Sequence, residues 1–129
     1  MEKFPHLPEE EDGRLEWLHQ ADCFSWVSEH HPWLVFAHVS NESGTKSSAG
    51  FIEKRRRMGV VKGVSDNMIL TPTNAGHPFS MVELKRPMKK SKPSPEQLAF
   101  GERLEANGGL FVVVWGHLAF RRFIQKYYQ

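Results

Sequence analysis

The sequence predicts a small α/β sandwich, a mixed central sheet with helices on its flanks. Three observations predict it. Leu110 to Trp115 (LFVVVW) is a nearly continuous apolar run of strand length, as expected of an internal strand covered on both faces. Phe79 to Lys85 (FSMVELK) is a second such run, interrupted by Glu83 and Lys85 two residues apart. Segments with apolar residues at helical spacing stand before, between and after these runs, and that alternation places helices against a sheet.

The chain has 129 residues with a formal net charge of +2. That length suits one domain, 1-129, with a core of its own and no room for a second. The charge is uneven: acids crowd the first dozen residues, and bases cluster at Lys54 to Arg57 and Lys85 to Lys92. Such clusters attract phosphate, although charge runs are commonly solvated surface and nothing more. One cysteine, Cys23, excludes an internal disulfide and fits a reducing cytoplasm. No apolar run approaches the ~18 to 20 residues of a membrane span, and the N-terminus carries acids where a signal peptide has a basic and then an apolar stretch. A soluble cytoplasmic protein is expected.

Residues 1-11, with prolines at 5 and 8 and an acidic cluster, are expected to form a loose leader. A helix is expected from Asp12 to His30, with Glu16, Gln20, Cys23 and Val27 in one stripe and Trp17, Ala21 and Phe24 beside it. Pro32 stops it, and Leu34 to Val39 reads as the first strand. Ser47 to Met58 reads as a short basic helix ended by Gly59. Lys54, Arg55, Arg56 and Arg57 cannot all face one way on a helix, so at most two of them can meet a nucleic-acid backbone, and Lys54 and Arg55 are the expected pair. Lys62 and Gly63 lead to Asp66, with Gly59 and Gly63 allowing tight turns near phosphate or serving as turn punctuation. Asn67 to Leu70 and Phe79 to Lys85 are the next strands, joined by Thr71 to Gly76.

The loop after Lys85 carries Arg86, Lys89, Lys90 and Lys92, expected to hold nucleic-acid backbone. Ser94, Pro95 and Gln97 form a capping-box pattern opening a helix that runs to about Asn107, with Leu98, Gly101 and Leu104 toward the sheet. After the strand Leu110 to Trp115, a last helix from Leu118 to Tyr128 turns Phe120, Phe123, Ile124 and Tyr127 to one side, against the sheet or a partner subunit.

Within the strand ending at Lys85, side chains two apart share a face, so Glu83 and Lys85 point together while Val82 and Leu84 point away. Asp66 then meets Glu83 across a strand pair. Two carboxylates on neighbouring strands can hold a hard divalent cation such as Mg²⁺, which keeps waters to share with phosphate oxygens. Lys85 is placed to orient or deprotonate an attacking water, or to stabilise developing charge. That is the minimal equipment for phosphodiester hydrolysis. On the triplet alone, opposed charges that keep an edge strand soluble are the commoner explanation.

Other chemistries lack their residues. The histidines form no zinc set, there is no phosphate-binding Gly-x-x-x-x-Gly-Lys-Ser/Thr loop, and Cys23 lies mid-helix among apolar residues rather than as a nucleophile.

Taken together, MGVVKGVSDNMIL, VELKRP, the lysine-rich loop, SPEQLAFGERLEANGG and FVVVWG resemble the VRR-NUC family, virus-type replication-repair nucleases of the PD-(D/E)XK superfamily. HVSNESGTKSSAG resembles the family's His-x-Pro-Asn-Gly-Gly segment, with Ser40 where proline is usual and Glu42-Ser43 where glycines are usual. Glu16 with Gln20 resembles its first-helix Glu-x-x-x-Gln. The resemblance covers about Glu16 to Gly116. It implies a restriction-endonuclease-like sandwich with an αβββαβ core and a Mg²⁺- or Mn²⁺-dependent DNA endonuclease. Asp66 and Glu83 would bind metal, the Leu84 carbonyl would add a ligand, and Glu16 would act through water or a second metal. Lys85 would position the water, and Gln97 would lie close by. His38, Asn41 and Gln20 are candidates for substrate or loop contacts. The family further implies branched or flapped DNA such as a four-way junction, 5′-phosphate products, a homodimer, and a phage or bacterial setting. The alternative is a DNA-binding module or nuclease subunit without activity of its own.

Overall fold

The computed structural model describes residues 1–40 and 48–129. Among these residues five strands, β1 (Glu2–Phe4), β2 (Phe36–His38), β3 (Asn67–Ile69), β4 (Ser80–Lys85) and β5 (Leu110–Trp115), form one sheet in the order β1-β5-β4-β3-β2. The sheet is mixed: β5 pairs parallel with β1 and β4, while β4, β3 and β2 pair antiparallel. Its helices are α1 (Glu16–His30), α2 (Ala49–Arg57), α3 (Pro95–Ala106) and α4 (His117–Tyr127). Setting aside β1, α2 and the closing helix α4, the order is the αβββαβ core expected.

Strand alternation decides which layer covers what. Val82 and Leu84 of β4 and Leu110, Val112 and Val114 of β5 face a cluster with Cys23 and Val27 of α1 and Ala119, Phe120, Phe123 and Ile124 of α4. The last helix therefore packs on its own sheet. On the opposite face α3 lies so close to β5 that a Cβ at Gly101 would stand 2.2 Å from the Phe111 ring. Burial pushes the Cys23 thiol pKa up, which suits a core residue and not a nucleophile. No helix among the described residues is long and apolar enough to cross a membrane.

The first helix begins at Glu16 rather than Asp12. The Asp12 carboxylate accepts from the Arg14 amide (2.9 Å) and from its Nε (2.8 Å), closing a turn that competes with helix. Trp17 and Phe24, expected beside the buried stripe, are exposed, and His19 takes the buried place with Cys23 and Val27.

The loose leader is a misreading. Glu2–Phe4 is an edge strand, in register with Val112 to Val114, and Phe4 packs edge-on against Phe123 at 5.9 Å. An apolar strand like β5 cannot be left with an open edge, and three residues cover it. They are too few to show periodicity. Behind them the Arg122 guanidinium donates to both Glu10 carboxylate oxygens (2.6 and 2.9 Å) and to the Pro5 carbonyl (3.0 Å).

This tie sets a pH-dependent prediction. The Arg122 hydrogen bonds hold the Glu10 pKa below its ordinary 4.5. A depressed carboxylate contributes stability above its unfolded pKa and loses it as pH falls through the folded one. Glu10→Gln is expected to cost about 1 kcal/mol at pH 7 and progressively less below pH 4.5. Urea unfolding of both proteins across that range checks it, and a gap that ignores pH would refute the ionic contribution.

Candidate active site

Asp66 immediately precedes β3. The pairing Asn67↔Val82, carried back one residue, sets Asp66 opposite Glu83 on the antiparallel partner. Two backbone bonds fix it: its carbonyl accepts from the Val39 amide (2.6 Å) and its Oδ2 from the Leu84 amide (2.8 Å). Glu83 shares the face of β4 away from Val82 and Leu84, and is 1% exposed. Lys85, next on that face and 16% exposed, places Nζ 3.5 Å from Glu83 Oε1.

Gln97 joins this group through its capping role. At the start of α3 the Gln97 side-chain oxygen accepts from the Ser94 amide (2.8 Å), and Ser94 Oγ accepts from the Gln97 amide (3.2 Å). With its oxygen committed there, the amide nitrogen is left to donate to Glu83 Oε1 at 2.6 Å. The cap and the site contact are two ends of one side chain. Gly63, at φ +89°, lets the incoming backbone press on this turn, since a Cβ there would meet the Glu96 carbonyl oxygen at 2.5 Å.

Glu83 Oε2 is buried with no hydrogen-bond donor among the described residues. Its neighbour Asp66 offers another carboxylate, and two ionised carboxylates give each other only acceptors. Either a proton stays on the pair or a cation lies between them. Burial, and then the Asp66 charge, push the Glu83 pKa up to about 9, and burial also raises that of Asp66. The donor set is hard oxygen on a desolvated face, which fits a divalent cation that retains waters. Among the described residues no three His, Cys, Asp or Glu groups close into a metal cage. Two carboxylates with open positions are what remain.

Glu16, on α1, is exposed as a residue, yet burial around its carboxyl and then the Asp66 charge raise its pKa. It stands at the rim of the pair. Gln20 is turned elsewhere: it exchanges two hydrogen bonds with the fully buried Asn67 (2.7 and 3.0 Å), fastening α1 to β3 beside Asp66. Sequence reasoning missed Asn67, although asparagine within an apolar strand pattern is a signal in itself. His38 is exposed at the end of β2, close enough to Asp66 and Glu16 for its cationic form to favour their ionisation. Asn41 lies outside the described residues. Leu84 meets Asp66 through its amide, a contact separate from the expected carbonyl ligand.

The cations divide. Arg86 donates to the main-chain carbonyls of Arg14 (3.0 Å) and Gly13, so it ties the chain to itself where contact with DNA was expected. Lys89, Lys90 and Lys92 are exposed, on a loop pinned by the Trp115 indole N–H donating to the Ser91 carbonyl at 2.6 Å. Lys62 is exposed, 3.8 Å from Glu96. Lys54 and Arg55 lie on α2, Arg55 over the Phe51 ring.

Neither a family model nor a curated protein sequence matches the chain. A solved structure described as a VRR_NUC domain protein matches 91% of this chain and 90% of its own, with a TM-score of 0.74 and 22% identity. This chain has the VRR-NUC fold. The restriction-endonuclease-like sandwich implied by the sequence resemblance is thus the observed architecture. Within the VRR-NUC fold the strand that carries Glu83 and Lys85 is central, flanked by β5 and β3.

Proposed function

We propose that this chain is a VRR-NUC nuclease, a divalent-metal-dependent DNA endonuclease centred on Asp66, Glu83 and Lys85. The observation that carries the reading is a buried Glu83 facing Asp66 without a donor on Oε2, beside a shielded lysine. The name of the solved structure with this fold supports the same class. Asp66 and Glu83 would hold Mg²⁺ or Mn²⁺, the Leu84 carbonyl would add a ligand, and Glu16 would reach it through water or serve a second cation. Such a cation supplies an acidified water and neutralises phosphoryl charge. Gln97 keeps the Glu83 carboxylate oriented. Lys85 Nζ donates to the attacking water or to the charge developing on phosphorus-bound oxygen. Products would be 5′-phosphate and 3′-hydroxyl ends. Lys89, Lys90 and Lys92 hold the DNA backbone on one side of the site, and Lys54, Arg55 and Lys62 on another. The substrate class is branched or flapped DNA, met by a homodimer in a bacterial or phage-infected cytoplasm.

The test is incubation of the wild type and Lys85→Ala with labelled duplex, flap and four-way-junction DNA in Mg²⁺, Mn²⁺ or EDTA. Cleavage by the wild type is expected only with metal. Lys85→Ala is expected to lower it at least about a hundredfold, with binding in EDTA within about twofold of wild type. Near-normal cleavage by Lys85→Ala removes the lysine from the mechanism. Binding without cleavage by the wild type in every lane replaces the nuclease with a DNA-binding module.

A further inference from the structure

The helix α2 is carefully terminated yet buries none of its residues. Ser48 Oγ accepts from the Phe51 amide at its start. At its end the Val60 amide donates to the Arg55 carbonyl (3.0 Å) and the Gly59 amide to that of Arg56 (3.1 Å), a Schellman stop with Gly59 at φ +93°. A nine-residue helix is marginal in water without tertiary packing. Even so, Phe51, Ile52, Met58, Val60 and Val61 are all at least 40% exposed. Among the described residues nothing buries this helix.

Its charge and place indicate what would cover it. At ~100° per residue Phe51, Lys54, Arg55 and Met58 share one face. The Arg55 guanidinium lies over the Phe51 ring at 5.6 Å from its centroid. Glu53 is held by Arg56 at 2.6 and 2.9 Å, which leaves Lys54 and Arg57 without an acidic partner among the described residues. Gly50, Glu53, Lys54, Arg57 and Met58 line a shallow groove of about 430 Å³ along the adjoining side of the helix, so Lys54 and Met58 border both groove and face. From Met58 to Gly63 is five residues, a span of at most about 17 Å. Gly63 presses on the backbone of Glu96 and Gln97, and Gln97 holds Glu83. The face therefore lies within a few nucleotides of the carboxylate pair.

We infer that this face of α2 seats an unpaired nucleotide of the DNA substrate, its base on Phe51 and Met58 and its flanking phosphates on Lys54, Arg55 and Arg57. Paired DNA presents phosphates outward and hides its base faces, so it would need the cations and leave the aromatic idle. A splayed base uses both, because every base has a π-face to stack. The inference deepens the nuclease reading and takes its substrate from it.

The test uses the full chain as wild type, Phe51→Ala and Phe51→Trp, none of which alters a buried residue. Binding is measured in EDTA to a flap carrying 2-aminopurine at its first unpaired position and to a fully paired duplex of equal length. Phe51→Ala is expected to weaken flap binding about 5- to 100-fold and duplex binding less than about twofold, with Phe51→Trp restoring the flap affinity. The wild type should quench 2-aminopurine on binding and Phe51→Ala should not. Equal losses on both DNAs, or no loss on either, overturn the inference, as does a Phe51-dependent affinity for anionic phospholipid vesicles in place of flap selectivity. So does a dimer that Phe51→Ala turns into a monomer without loss of flap selectivity. Wild-type quenching with no metal-dependent cleavage would leave the base seat standing and remove the nuclease. Cleavage with flap binding indifferent to Phe51 would do the reverse.

Discussion

Glu83→Gln is expected to abolish cleavage and, in metal-free buffer, to yield a protein more stable than the wild type. Cleavage should fall at least about a thousandfold, because an amide neither binds a divalent cation as a carboxylate does nor balances its charge. The stability gain has a separate cause. Burial and the adjacent Asp66 raise the folded Glu83 pKa from 4.5 to about 9. Between those values the unfolded chain gives up a proton that the folded chain retains, so stability falls as pH rises through the window. Glutamine keeps the Gln97 contact with a side-chain oxygen and carries no charge to desolvate. Its advantage should grow with pH and reach on the order of 1 to 3 kcal/mol near neutrality. Saturating Mg²⁺ or Mn²⁺ should reverse the order, stabilising the wild type by about 2.7 kcal/mol at a hundred times the dissociation constant and the variant hardly at all. Thermal unfolding from pH 5 to 9 with EDTA or metal checks both. A wild type indifferent to metal would remove Glu83 from the metal site, and a variant less stable at every pH would refute the cost of the buried carboxylate.

Gly101→Ala is expected to destabilise the fold by about 2 to 3 kcal/mol and to lower its melting temperature by roughly 10 °C. Helix propensity alone argues the other way, since alanine in place of a mid-helix glycine favours the helix by about 1 kcal/mol. Contact distance decides the sign: the added Cβ would meet Phe111 Cδ2 at 2.2 Å and Cε2 at 2.4 Å. Phe111 is 1% exposed on β5, so its ring cannot swing out into solvent. Relief therefore requires α3 to move off β5. Gln97 lies one turn before Gly101 on the same face, so the displacement loosens its hold on Glu83 and cleavage should fall as well. Gly101→Ala with Phe111→Leu should recover part of both losses. Additive penalties in the double variant would show that the two positions do not collide.

Much of this was legible because it follows a repeat or a fixed chemistry. The apolar run of β5, the Glu83-x-Lys85 alternation and the Ser94-Pro95-Glu96-Gln97 cap each state their own geometry. They placed both layers of helices and the face on which Glu83 and Lys85 stand. What was illegible depends on partners distant in sequence. Nothing in Glu2-Lys3-Phe4 announces a strand until β5 stands beside it. Arg86 reads as one more cation in a basic loop until the carbonyls of Gly13 and Arg14 meet it. Trp17 and Phe24 fit a buried stripe on spacing alone, but the core seats only one side of α1, and His19 occupies it.

The pairing of β1 with β5 also governs when the sheet can be finished. Glu2 meets Val112, more than a hundred residues away, so β1 can find its place only after β5 has been made. Closing so wide a loop is entropically slow, and until β5 arrives the opening residues have no sheet to join. Until β5 has been synthesised and has docked, the β1 segment therefore stays open to proteases and chaperones.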